Sequence, residues 1–201
     1  MVKLDFEWKD DGQYHQYCEK CHAETISRVK DGERTQYACS SCNGRYDRSI
    51  VVDPGLVWWV DEEQNYWHES AGVFIRNDNS EFLFFDRIIF PFSLTIPSGH
   101  VDKGEDAMTA AKREVSEEVG LTVENIREVA VADVWGDQCR RGADVHRWHA
   151  FVADLPSDAG ISLNHEGLNP QWKTLDEAIA SDIITPVRYM IDNYKQQILA
   201  G

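Results

Sequence analysis

Residues 99 to 121 read GHVDKGEDAMTAAKREVSEEVGL, and the rest of the chain is best understood outward from them. From about Asp106 to Val119, the apolar residues Met108, Ala111, Val115 and Val119 recur at three- and four-residue steps, which predicts a helix with one apolar stripe. Gly120 stands where a helix stop is expected. On that helix Glu114 and Glu118 are one turn apart and Glu117 neighbours Glu114 at the other helical spacing, so three carboxylates share a strip beside the apolar stripe. A divalent cation relieves the repulsion among them, and hard oxygen donors suit Mg²⁺ or Mn²⁺. Arg113 precedes Glu117 by four residues and is spaced to pair with it. Charge alone equally describes a solvated helix face, the commoner condition of acidic runs. The loop leading in, with Pro97, Ser98, Gly99 and Gly104, turns the reading toward a metal site, because glycine permits close backbone approaches.

Gly99, Glu105, Arg113, Glu114, Glu117, Glu118 and Gly120, with Val115 and Leu121 at aliphatic positions, match the pattern G-x5-E-x7-R-E-U-x-E-E-x-G-U without departure, where U is aliphatic. The stretch resembles the Nudix box. With each fixed residue type used at roughly 7%, seven chance matches have a probability on the order of 10⁻⁸ per window. The resemblance implies an α/β chain with the Nudix fold, a mixed β-sheet sandwiched between α-helices, over residues 55 to 201. It also implies that the Gly99 carbonyl, Glu114, Glu117 and Glu118 hold Mg²⁺ or Mn²⁺, that Glu117 is a ligand or the base orienting water, and that Glu105 supports Arg113. Nudix enzymes often use a further glutamate well after the box. Glu166, in Asn164-His165-Glu166-Gly167 ahead of Trp172 and the run from Leu175 to Ala178, is the residue matching that role. The catalytic set is thus Glu117, Glu166, Arg113 and Glu105.

Cys18-x2-Cys21 and Cys39-x2-Cys42 form two knuckles seventeen residues apart. Two such hairpins can supply four corners of a tetrahedral Zn²⁺ site, and a segment this small needs a staple to fold. Two disulfides are the competing arrangement, but nothing in the sequence suggests secretion. A closed four-cysteine site leaves no position for water, so this zinc is expected to be structural. Residues 1 to 50 resemble a zinc ribbon, with strands over Thr25 to Val29 and Thr35 to Ala38, as in NADH pyrophosphatase-like members of the Nudix family. Cys139 has no partner knuckle and is read as incidental.

Between these landmarks, Val51 to Pro54 reads as a connector and Leu56 to Val60 as a short apolar run. Ala71 to Arg76 and Phe82 to Asp86 read as a hairpin joined by Asn77-Asp78-Asn79-Ser80. Arg127 to Trp135 and Val145 to Ala153 read as strands, and Leu175 to Ala180 and Pro186 to Leu199 as helices.

The 201 residues carry a net charge of −15, and the acidity is uneven. Residues 1 to 50 hold 8 Lys and Arg against 9 Asp and Glu, leaving 12 against 26 for the remainder. Binding to nucleic acid is therefore disfavoured, and a phosphate substrate must approach through metal ions or local arginines, for which Arg76, Arg87, Arg140, Arg141 and Arg147 are candidates. No membrane partner is expected, since no stretch is long and apolar enough to span a bilayer. The charged N-terminus MVKLDFEWKDDGQ gives no signal peptide, so a cytoplasmic location is expected.

The expected activity is metal-dependent hydrolysis of a diphosphate linkage in a nucleoside diphosphate derivative, a dinucleotide or nucleotide-sugar type, to a nucleoside monophosphate and phospho-X. The Ser, Gln, Pro, Trp and Phe motif of NADH pyrophosphatases is absent, as are a proline in 124 to 154 and a coenzyme A signature. Phe90, Phe92, Trp135 and Trp148 are candidate base platforms, although aromatics of this kind are more often core. The alternative function is a nucleotide sensor whose ribbon contacts a protein or RNA. Intact box glutamates and a ribbon without a basic patch favour the enzyme. The family makes a homodimer a fair expectation.

Overall fold

The computed structural model describes residues 1–32 and 34–200, which among them form thirteen strands and three helices. The first five strands are β1 (His15–Tyr17), β2 (Ile26–Asp31), β3 (Arg34–Cys39), β4 (Arg45–Tyr46) and β5 (Ile50–Val52). The larger part follows as β6 (Trp58–Val60), β7 (Tyr66–Arg76), β8 (Phe82–Arg87), β9 (Leu94–Thr95), β10 (Ser98–His100), α1 (Ala107–Val119), β11 (Ile126–Trp135), β12 (Val145–Asp154), β13 (Gly167–Lys173), α2 (Leu175–Ile179) and α3 (Thr185–Leu199).

Strand β7 is the axis of the main sheet, whose order is β11-β12-β7-β8-β13 with β6 and β10 on β7 and β9 on β8. Its pairing with β12 is parallel and the other pairings are antiparallel, so the sheet is mixed. Alternation along the strands divides two cores. Ala71, Val73 and Ile75 of β7, with Leu83, Phe85, Phe151 and Ala153, meet Ala110, Ala111, Val115 and Val119 of α1. Phe74, Phe82, Phe84, Trp148, Ala150 and Val152 face the other way, toward Val187, Met190, Ile191 and Ile198 of α3. The sheet is thus sandwiched between helices, the Nudix arrangement. Trp148 is core, 2% exposed with its ring filling the space a Cβ at Gly72 would need, and it also belongs to the lining of the cleft described below.

The hairpin β7–β8 closes through Arg76 opposite Phe82, and its turn is held by Asn77 Oδ1, which accepts from the amides of Asn79 and Glu81. Helix α1 starts at Asp106, whose carboxylate accepts from the Thr109 amide at 2.7 Å, and ends at Gly120, left-handed at φ 68° with its N–H on Ser116 O. The apolar stripe differs from expectation at one end. Met108 is 41% exposed, and the buried row runs through Ala110, Ala111, Val115, Glu118 and Val119, because the helix turns a carboxylate and not the methionine inward.

Two further expectations change. Val51 and Val52 are not connector: they lie in β5, which pairs antiparallel with β1 in the register His15 to Val52, and all three β5 residues are buried. The apolar run from Leu56 yields strand only at Trp58–Val60. Strand β5 and Ser49 before it also join the N-terminal segment to the larger part, since the Ser49 and Val51 amides donate to the carbonyls of Arg140 and Arg141 and Tyr66 Oη donates to Val51 O. Leu4, Tyr17, Ile50 and Val52 share a small core with Tyr66 and Ala143, and buried Arg48 donates to Asp144 at 2.5 Å. Among the described residues, no helix is long and apolar enough to cross a membrane.

The backbones of β5 and the loop after β11 meet at Gly142, where φ is 96° and a Cβ would stand 2.7 Å from Ile50 Cα. A Gly142→Ala variant combines backbone strain with a backbone clash and is expected to lose about 2 kcal/mol or more of stability in urea unfolding at unchanged m. An unaltered midpoint would show that this junction does not require glycine.

Candidate active site

The candidate site forms where α1 passes behind β10. Glu118, although charged in type, is 6% exposed, and its Oε2 accepts from the Ser98 amide at 2.8 Å. Glu114 lies against Gly99, occupying the space that any Cβ there would take. This close approach requires glycine at 99. A helix packed this tightly on a strand brings the Gly99 backbone and two carboxylates to one place.

Arg113 holds the arrangement from the side. Its guanidinium donates to Glu114 Oε1 at 2.6 Å, to Glu105 Oε1 at 2.7 Å and to the carbonyl of His100 at 3.0 Å. Glu105 in turn accepts from the Asp102 amide at 2.8 Å. The pairing predicted between Arg113 and Glu117 is the longer one, at 3.4 Å, with the Glu117 side chain 58% exposed. Burial alone would raise Glu105, but Arg113 and the Asp102 amide hold it below the usual carboxylate range. The Glu105 hydrogen bond, opposed by partial burial, raises Arg113 still further above its ordinary value.

Glu166 reaches the site through the loop before β13. Asn164 N donates to Glu118 O, Asn164 Oδ1 accepts from Glu166 N, and Ile88 N donates to Glu166 O. Gly99, Glu114, Glu118, Glu166, Arg87 and Arg140 line one cleft of about 180 Å³. Arg140 Nη2 stands 3.7 Å from Glu166 Oε1. Glu117 and Arg113 on α1, and Glu105 in the loop before it, lie outside that lining. Of the arginines proposed from sequence as phosphate contacts, Arg87, Arg140 and Arg141 line the cleft, whereas Arg76 pairs with Asp154 and Arg147 with Asp133. Phe90 lines it as well; Trp135 is exposed and meets Trp67 edge to face.

The electrostatics are those of a cation site. Burial pushes Glu118 up to about 8, opposed by Arg87 and reinforced by Glu114. Burial also raises Glu114, with Arg113 opposing and Glu117 and Glu166 adding to the rise. One buried and one half-buried carboxyl, both held up by burial and set beside the Gly99 backbone, fit a hard divalent ion.

Sequence reasoning missed one constellation. Cys139, read as incidental, stands with His68, His100 and His146, and one candidate ligand atom from each falls within 4.8 Å of the others. No knuckle spacing announces these four positions.

A family model described as the NUDIX domain matches residues 66–194. The chain is 35% identical over 101 residues to a bis(5'-nucleosyl)-tetraphosphatase (asymmetrical) of Caenorhabditis elegans, covering 49% of this chain and 71% of the relative. It is 32% identical over 118 residues to an RNA pyrophosphohydrolase of Dinoroseobacter shibae, covering 50% and 69%. Among solved structures, a MutT protein from Methanosarcina mazei Go1 superimposes with a TM-score of 0.55 at 19% identity, over 65% of this chain and 94% of the other. The Nudix hydrolase RenU from M. smegmatis gives 0.53 at 17% identity, over 70% and 92%; both show likeness of fold. The chain belongs to the Nudix family, and it is a Nudix-type pyrophosphohydrolase.

The elevated Glu118 has a measurable consequence in metal-free protein. A carboxyl raised from its ordinary 4.5 to about 8 binds its proton more tightly folded than unfolded, so its contribution is lost as pH rises through that window. With EDTA present, stability relative to Glu118→Gln is expected to fall between pH 5 and 8, with a limiting slope of about 1.4 kcal/mol per pH unit, and millimolar Mn²⁺ should oppose the fall. Parallel denaturation profiles for the two proteins would remove the buried-carboxyl account.

Proposed function

We propose that this pyrophosphohydrolase cleaves a diphosphate linkage in a nucleoside diphosphate derivative, releasing a nucleoside monophosphate and phospho-X. The observation that carries the reading is the convergence on one cleft of Glu114, Glu118 and Gly99 with Arg87 and Arg140. The carboxylates would gather divalent cations while the arginines take phosphate oxygens directly, with bidentate geometry available to each guanidinium. The cleft is smaller than the roughly 300–1,000 Å³ of pockets that enclose a ligand. It suits a diphosphate segment with its nucleoside and second group lying outside. The names of the two curated relatives, one referring to a nucleosyl polyphosphate and one to RNA, support substrates of this kind.

Glu114, Glu118 and the Gly99 carbonyl would hold Mg²⁺ or Mn²⁺, with Glu117 able to join them from the rim. When bound, the ion supplies charge neutralisation at the phosphoryl oxygens and a more acidic water. Glu166, inside the cleft and beside Arg140, is assigned the proton of the attacking water. Arg113 and Glu105 are positioning residues, since they hold Glu114 and the His100 carbonyl and do not line the cleft. In the N-terminal segment, Cys18, Cys21, Cys39 and Cys42 are assigned a structural Zn²⁺. Their Sγ separations, 3.7 Å for Cys18 to Cys42 and 3.6 Å for Cys21 to Cys39, approach the edge of about 3.8 Å of a tetrahedron with 2.3 Å Zn–S bonds.

Purified protein with Mg²⁺ or Mn²⁺ should hydrolyse at least one of NADH, NAD, ADP-ribose, diadenosine polyphosphates, FAD, coenzyme A or nucleoside triphosphates. Glu118→Gln should abolish that turnover. Glu166→Gln should lower kcat by about 10²–10⁴-fold with a smaller change in KM. An unchanged kcat would take the base role from Glu166, and nucleotide binding without turnover anywhere in the panel would overturn the hydrolase assignment for these substrates.

A further inference from the structure

We propose that His68, His100, His146 and Cys139 form a second metal site, closed and tetrahedral, which takes Zn²⁺ and staples the loop after β11 to the sheet beside the catalytic cleft. The site is made by strand register. In the parallel pairing of β12 with β7, His146 stands opposite His68, and in the antiparallel pairing of β10 with β7, His100 stands opposite Ser70. Cys139 reaches the three rings from the turn in which its amide donates to Ala143 O and its carbonyl accepts from Gly142 N.

The separations are those of ligands around an ion. His68 Nδ1 lies 3.6 Å from Cys139 Sγ. A tetrahedron with a Zn–N bond near 2.05 Å and a Zn–S bond near 2.3 Å has a mixed edge of about 3.6 Å. The three ring centroids are 4.7, 5.6 and 5.6 Å apart.

Packing alone gives a poor account of this cluster. His68 and His146 are buried, yet His68 Nε2 and His146 Nδ1 make no hydrogen bond. Buried polar atoms in a folded protein ordinarily find a partner, and leaving one without costs about 1–3 kcal/mol. Asp137 Oδ2, 3.1 Å from His146 Nδ1 without hydrogen-bonding geometry, is placed to act as the outer carboxylate common behind metal-bound imidazoles.

Donor chemistry selects the ion. Three imidazoles and one thiolate are borderline to soft and fill a tetrahedron, which suits Zn²⁺ and excludes the hard, water-rich coordination of Mg²⁺. The site therefore differs in kind from the carboxylate end of the cleft, to whose lining His100, Cys139 and His146 also contribute. Its role follows from its connections: His100 offers its ring to the cluster while its carbonyl accepts from Arg113, and Cys139 is followed directly by Arg140, which faces Glu166. Nothing here depends on which nucleotide derivative is the substrate.

Full-length protein exchanged with ¹¹³Cd²⁺ gives the test. The expected NMR spectrum has a resonance far upfield of the four-thiolate range, for one sulfur and three nitrogens, separate from any signal of the four-cysteine site. Cys139→Ser should remove that resonance and one equivalent of zinc per chain by mass spectrometry. Only a four-thiolate signal, or a zinc content unaffected by Cys139→Ser, overturns the proposal. Should the variant fail to fold, zinc-edge X-ray absorption on wild-type protein decides: mixed nitrogen and sulfur scattering is expected, and a sulfur-only shell overturns it.

Discussion

Glu114 and Glu118 lie on the inward side of α1, where a helix in a small domain ordinarily carries aliphatic residues, and that placement constrains everything around them. Glu118 is accommodated because the Ser98 amide donates to it, which requires β10 to lie along the helix. Glu114 is accommodated because position 99 has no side chain and because Arg113 neutralises it from the flank. Arg113 in turn depends on Glu105 and the His100 carbonyl, so the loop between β10 and α1 is tied down at both ends. Removing one charge partner from such a buried set leaves the other uncompensated, which is why buried ionic groups tolerate little change.

Helix α1, its stop at Gly120 and the alternating strands β7, β8, β11 and β12 were legible in the sequence because their signals are local. The periods of 3.6 and 2 are written into adjacent residues, and the spacing from Gly99 to Gly120 carries its own geometry. Met108 shows where local pattern fails. The stripe drawn through it is a good helical stripe, but the sheet lies on the side of Ala110 and Glu118, and only tertiary packing chooses between two similar faces. Val51 and Val52 failed for a related reason: three residues before a proline look like a linker until β1 returns to pair with them.

The candidate site was legible in proportion to its compactness. Glu105, Arg113, Glu114 and Glu118 are close in sequence and in space. Glu117, equally prominent in the pattern, stays at the exposed rim, since its neighbours at 114 and 118 take the inward positions. His68, His100, Cys139 and His146 were invisible because 78 positions separate the first from the last and the register of three strands brings them together. A histidine opposite a histidine in a parallel pairing has no signature until the pairing is known.

The backbone bonds from Ser49 and Val51 to Arg140 and Arg141 place a segment outside the family's shared core directly behind one wall of the cleft. Arg34 of β3, resting 4.3 Å over the Phe92 ring, adds a second point of contact from the same segment. The residues that line the cleft run from Ser70 to Pro186, and the first fifty residues reach it through the loop they hold. Changes in that segment would therefore act on Arg140 and Arg141 from a distance, through the backbone that carries them, and leave the carboxylates of α1 where they are.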